Sequence, residues 1–251
     1  MEKFNKVAKI TLLFWIMKIL ATTLGETMGD LFSMTLDYGY PISLTFTMSF
    51  FLIVLLIQLK VRKFHPVPFW LVIIATTTVG TEISDFIDRT LKLGYIEGSI
   101  LLFSALMITL FIWYHQEKKL TVYPIYTRKE EIFFWVAVLF SNSLGTAFGD
   151  FLTDNLGLSF LNGAFVTAGI IALVVILHYS TRINTILLFW IAFIFTRPFG
   201  ATFGDLLTKT TDKGGLDLGT IPATLVTAGL LLLLIYYSSH KHNKQNREEI
   251  I

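Results

Sequence analysis

Residues 23–30 read TLGETMGD. They close an almost wholly apolar run, 10–24, yet place Glu26 and Asp30 beside Gly25 and Gly29. A carboxylate without a partner is costly in lipid or in a protein interior, so the stretch needs a reason. It recurs along the chain. Trp15 stands ten residues before Gly25, fourteen before Gly29 and fifteen before Asp30. The same offsets lead from Trp70 to Gly80, Ser84 and Asp85, from Trp135 to Gly145, Gly149 and Asp150, and from Trp190 to Gly200, Gly204 and Asp205. The tryptophans are 55, 65 and 55 residues apart.

A spacing that holds without drift marks internal repeats. Each copy reads as a polar-tipped first helix, a connector and an apolar second helix. The second helices of copies three and four also match, as FVTAG (165–169) and LVTAG (225–229). The longer middle step runs through HQEKKLTVYPIYTRKEE (115–131). It divides the chain into a first half, 1–117, a connector, 118–131, a second half, 132–239, and a tail, 240–251.

Of 251 residues, 54% are hydrophobic and only 15% charged, too apolar for an ordinary soluble domain. Runs at 42–59, 97–114, 159–178 and 219–237 approach the roughly 20 residues that cross a bilayer as a helix. Runs near 10–29, 68–87, 132–151 and 185–204 are apolar but end in charge. A barrel would alternate in short segments instead. The expectation is an all-α integral membrane protein. It has eight transmembrane helices, arranged as four parallel two-helix repeats around a pseudo-symmetry axis along the membrane normal. No small-residue cleavage pattern follows the first run, so it reads as a span and not a signal peptide.

With no cysteine, disulfides and thiolate metal sites are excluded. No basic patch carries interleaved aromatics, which argues against nucleic acid as a partner. Fourteen Lys and Arg, from Lys3 to Arg247, fall in the termini and one set of connectors; the opposite set holds Arg89, Lys92, Lys209 and Lys213. The positive-inside rule then makes both termini cytoplasmic.

The repeat tryptophans, with the Gly and Asp positions after them, resemble a bacterial membrane family of unknown function built from four tandem repeats. Each repeat of that family has two transmembrane helices and a characteristic tryptophan. The resemblance covers roughly residues 8–238. It implies an integral protein of the bacterial inner membrane and supplies no substrate.

Counted from each Trp, the seventh residue is Thr22, Thr77, Asn142 or Arg197, and the eleventh is Glu26, Thr81, Thr146 or Ala201. The fifteenth is always Asp: Asp30, Asp85, Asp150 and Asp205. Steps of four keep these on one helix face. Lys18 extends the stripe in copy one, and Glu82 adds an acid in copy two. Gly25, Gly29, Gly80, Gly145, Gly149, Gly200 and Gly204 lie beside it and read as packing positions that let helices approach closely. The stripes are expected to face inward and the second helices to face lipid. The tryptophans read as interface anchors or packing residues, and Tyr38, Tyr40 and Tyr95 as interfacial belt residues.

Six acids, Glu26, Asp30, Glu82, Asp85, Asp150 and Asp205, then stand against two bases, Lys18 and Arg197. Clustered carboxylates cannot all ionise without cations, so protons or metal ions must balance them. The oxygen donors of Thr22, Thr77, Thr81, Asn142, Thr146 and the acids suit hard cations such as manganese or magnesium. Outer connector acids, Asp37, Asp88, Glu97, Asp154, Asp212 and Asp217, would gather cations at the mouth. The expected function is cation transport with proton coupling, the four repeat aspartates as metal ligands and no resident cofactor. A transporter of a small organic substrate is the alternative. More distant are an intramembrane enzyme, for which no catalytic signature is present, and a structural or sensory subunit, for which the tail and loops are too short to hold a signalling domain. The partners expected are the bilayer, the cation and the proton; the oligomeric state is left open.

Overall fold

The structure is a computed structural model in which residues 4–248 are described. Lys3 and residues 249–251 of the expected tail lie outside the described residues. Among the described residues eight long helices follow one another: α1 Leu12–Asp30, α2 Gly39–Lys60, α3 Pro66–Asp85, α4 Tyr95–Glu117, α5 Arg128–Asp150, α6 Phe160–Ser180, α7 Thr185–Thr208 and α8 Thr220–Glu248.

Local chemistry sets the starts of the first helices. The Thr11 hydroxyl accepts the Phe14 N–H at the head of α1, and Asn184 Oδ1 accepts that of Ile186 at the head of α7. Pro66 opens α3, where no N–H is needed. Thr127 and Glu130 form a capping box on α5. All four first helices run unbroken through their glycines, and α7 also continues through Pro198. In the first three copies the helix passes at the repeat Asp into a π-helical turn, Leu31–Thr35, Phe86–Thr90 or Phe151–Asn155. In the fourth, α7 continues to Thr208 instead. Gly39, Gly94, Gly157 and Gly219, at φ of 70°, 83°, 67° and 80°, then turn the chain into the second helix.

Seven of these helices are long and apolar enough to cross a membrane. The exception to the expected eight is α1, whose apolar run is interrupted by Lys18 and Glu26. Burial separates two layers. In the spans of α3, α5 and α7, 78%, 67% and 61% of residues are buried, against 28%, 28%, 22% and 28% in α2, α4, α6 and α8. The second helices form an outer layer with bare apolar faces, such as Ile53, Phe111 and Leu233.

The first helices form a closed ring: α1 packs on α3, α3 on α5, α5 on α7, and α7 on α1. Each second helix packs on the first helix of the following repeat, α2 on α3, α4 on α5 and α6 on α7; α8 returns to α1. The same hand-over is visible atom by atom. A methyl group built on Gly25 would lie 2.5 Å from Thr77 Cβ, and one on Gly80 would lie 3.0 Å from Asn142 Cβ. One on Gly145 would meet Arg197 Cβ at 2.5 Å, and one on Gly200 would meet Thr22 Cβ at 2.5 Å. The seventh residue after each Trp therefore fills the notch left by the glycine of the preceding repeat. One turn on, Gly29 receives Thr81, Gly149 receives Ala201 and Gly204 receives Glu26.

Aromatic rings close one end of the ring by the same hand-over. Phe14 lies 5.6 Å from Trp70, Phe69 5.4 Å from Trp135, Phe134 6.4 Å from Trp190 and Phe189 5.7 Å from Trp15, centroid to centroid. Three of the four tryptophans are buried. They are packing residues at this end.

Gly25→Ala and Gly200→Ala should each destabilise the detergent-solubilised protein by about 1–3 kcal/mol through overpacking. Gly169→Ala and Gly229→Ala, where nothing lies within 4 Å of the added carbon, should not. Thermal unfolding of the four variants is the measurement; equal effects at all four positions would contradict the seam.

Candidate polar site inside the helix ring

From the aromatic end toward the aspartate end, the ring interior holds three polar layers. In the first, Lys18 Nζ donates to Asn142 Oδ1 at 2.8 Å and lies 4.0 Å over the Phe193 ring. Asn142 Nδ2 in turn donates to Thr76 Oγ1 at 3.1 Å. Lys18 was expected to compensate an acid; among the described residues it forms an ion pair with none. Its stem is too far down the helix from the aspartates, so an amide oxygen and an aromatic face hold the ammonium.

In the second layer, Arg197 Nη2 donates to Glu26 Oε2 at 2.8 Å and to the Thr81 hydroxyl. Nη1 reaches the Thr22 carbonyl at 3.5 Å. This ion pair is fully buried, with side-chain exposures of 0% and 6%. Glu82, on α3, is also fully buried, and among the described residues neither of its oxygens has a hydrogen-bond partner. The threonines of the stripe are engaged with backbone: Thr22 Oγ1 donates to Ile19 and Thr196 carbonyls, Thr77 to Ala21 and Ile74, and Thr146 to Asn142. They sit in the seams between helices.

The third layer holds the repeat aspartates, gathered as two pairs. Lys209 Nζ lies 2.6 Å from Asp30 Oδ2 and 3.2 Å from Asp205 Oδ1. Arg89 Nε lies 3.1 Å from Asp85 Oδ1, and its Nη2 lies 3.2 Å from Asp150 Oδ2. Copies one and four thus share one base, and copies two and three the other. The sequence places Arg89 and Lys209 in connectors. They fold back because each stands four residues after its own aspartate, one helical turn away. The expected excess of four negative charges falls to two. A signal was present: at the nineteenth position after Trp the copies read Met34, Arg89, Asp154 and Lys209.

Tyr40 and Tyr95, expected as belt residues, brace this layer. Arg89 Nη1 donates to the Tyr40 hydroxyl at 3.1 Å, and both rings lie 5.9 Å from the guanidinium carbon. The Tyr95 hydroxyl donates to Asp154 at 2.8 Å. Asp88, expected in an open vestibule, is buried with Ser84 Oγ at 3.3 Å.

Two further features bear on function. Glu26, Asp30 and Asp205 each present a carboxylate oxygen such that all three lie within 4.8 Å of one another. Separately, a groove of about 740 Å³ runs between α4, α5 and α7, lined mostly by apolar side chains such as Phe103, Met107, Phe148 and Trp190, together with Lys118, Lys119 and Asn184 and no carboxylate. At the aromatic end, sequence reasoning missed a second buried cluster. The Lys6 ammonium pairs with Glu131, and Gln58 Nε2 donates to Glu131 Oε1 at 2.9 Å and to the Lys6 carbonyl at 3.1 Å. These three residues are far apart in sequence and follow no period.

The fold and site define a class: an all-α protein of four tandem helix pairs, most of its helices able to cross a membrane, enclosing a buried polar core. The chain belongs to the family described as Repeat of Unknown Function (DUF347), whose repeat matches residues 13–64, 68–119, 133–184 and 188–242. No curated protein and no solved structure gives a match.

Arg197→Met would leave Glu26 buried without a counter-charge and should cost about 3–5 kcal/mol in unfolding experiments. Arg197→Met combined with Glu26→Gln should recover most of that loss; a double variant as unstable as the single one would contradict the pairing.

Proposed function

We propose that the chain is a membrane transporter that moves a divalent cation, such as manganese or magnesium, through the carboxylates inside the ring, with protons coupled to the movement. The observation that carries this reading is the convergence of three buried carboxylate oxygens, from Glu26, Asp30 and Asp205, within 4.8 Å. Oxygen-only donors favour hard cations. Glu82, a buried acid with no hydrogen-bond partner among the described residues, supports proton coupling, because such a group is least costly when it carries a proton. The aromatic closure opposite the aspartates favours a gated path over an open pore.

In this reading all eight long helices span the bacterial inner membrane, with both termini cytoplasmic and the repeats parallel about an axis along the membrane normal. Insertion of α1 is supported by the internal partners of Lys18 and Glu26, since polar groups in a bilayer must be satisfied within the protein. The organic-substrate alternative needs aromatics and acids in one cleft; the apolar groove and the carboxylates are separate.

The test is manganese flux into proteoliposomes. Asp30→Asn and Asp205→Asn should each lower the rate by at least about tenfold, a barrier change of roughly 1.4 kcal/mol. Unchanged flux in both variants would overturn the proposal.

A further inference from the structure

The two aspartate pairs are each bridged by one base, but the bases are held differently. Arg89 is fixed on several sides: two carboxylates, the Tyr40 hydroxyl and two aromatic rings. Its planar fork suits such directional contacts. The Lys209 ammonium forms ion pairs with Asp30 and Asp205 and makes no other hydrogen bond among the described residues. Lysine is a compact point charge on a flexible stem. Exposure does not separate the two, at 32% for Arg89 and 24% for Lys209; the partners do.

Resting on the cation reading of Glu26, Asp30 and Asp205, we infer that Lys209 is a tethered counter-ion that fills the substrate site when it is empty. A divalent cation binds by taking its place, while Arg89 stays as a fixed clasp on Asp85 and Asp150. Charge selects the ligand. With an ion in place of the Lys209 ammonium, the three carboxylates can carry three negative charges, and Arg197 cancels one through Glu26. Two remain, the charge that a divalent ion neutralises and a monovalent one does not. A second observation points into the same space: Glu82, fully buried on α3 and without a hydrogen bond among the described residues, lies within electrostatic reach of Asp30 and Glu26, and also of Asp85.

The geometry allows the side chain alone to move. Lys209 lies just past the end of α7, and its carbonyl accepts the Asp217 N–H at 3.0 Å, which anchors the backbone. The site is vacated by displacement of the side chain while the backbone stays anchored. The quarter of the side chain that is exposed gives the ammonium a route to water.

The experiment uses the full chain in lipid nanodiscs with Mn²⁺ alone as the probe. Lys209 should acylate several-fold faster with a water-soluble amine reagent when Mn²⁺ is added, read by peptide mass spectrometry, while exposed Lys213 stays constant. K209Q, which removes the competitor, should bind Mn²⁺ about tenfold tighter, equivalent to roughly 1.4 kcal/mol; R89Q should not. If the wild-type chain binds Mn²⁺ but neither Lys209 reactivity nor K209Q affinity changes, the displacement is overturned and the cation reading stands. If neither wild type nor K209Q binds Mn²⁺, both are overturned. The labelling arm needs no variant, so a misfolded K209Q does not blunt the test.

Discussion

Four glycine notches govern this architecture. At Gly25, Gly145 and Gly200 the facing helix approaches so closely that even a methyl group has no room, and at Gly80 a methyl group would be tight. In a bilayer the hydrophobic effect does not drive helices together, so close van der Waals packing and hydrogen bonds must. Because each notch accepts a residue from the next repeat, the ring closes only when α7 returns to α1. One set of side chains serves both ends of this arrangement. Thr22, Thr77, Asn142 and Arg197 are knobs in the seams, and Asn142 and Arg197 also reach inward to hold charge.

The tight ring creates the electrostatic problem that its polar core solves. Six carboxylates sit in a space with little water, and each needs a donor, a counter-charge or a proton. Arg197 answers Glu26, Arg89 answers Asp85 and Asp150, and Lys209 answers Asp30 and Asp205. The four-fold repetition of the sequence is thereby broken in its chemistry. Copies two and four carry the bases at the nineteenth position, copies one and three do not, and the two bases differ in how firmly they are held. Repeats of this kind supply a ring cheaply; divergence at a few positions gives the ring a particular site.

Much of this was legible beforehand, for identifiable reasons. The invariant Trp–Gly–Asp spacing revealed the repeats, and steps of four placed the acids on one face of each first helix. Hydropathy separated polar-tipped helices from greasy ones, which became the inner and outer layers. What stayed hidden depended on tertiary neighbours. A repeat period says nothing of which copy abuts which, so the hand-over from α2 to α3 and from α8 to α1 was not readable. Arg89 and Lys209 lay at the charged ends of apolar runs, where connector and core look alike; only extending the stripe one more turn would have found them. Lys18 carried no sequence clue to its Asn142 partner, and the Lys6–Gln58–Glu131 cluster joins three distant segments. In α1, Lys18 and Glu26 lowered the apolar signal of a helix that is nevertheless part of the inner ring.

The claim on which all of this rests is that repeat one closes directly against repeat four. Because the natural chain has no cysteine, introduced pairs can be read without background. Cysteines at Thr22 and Thr196, where the Thr22 hydroxyl lies 3.1 Å from the Thr196 carbonyl, should be joined by a short thiol-specific cross-linker in native membranes. A pair at Ala21 and Thr77, across the α1–α3 seam, serves as the reference. Comparable linkage of both pairs is the predicted result. Linkage at 21 and 77 with none at 22 and 196 would mean that the ring is open, and would contradict the account.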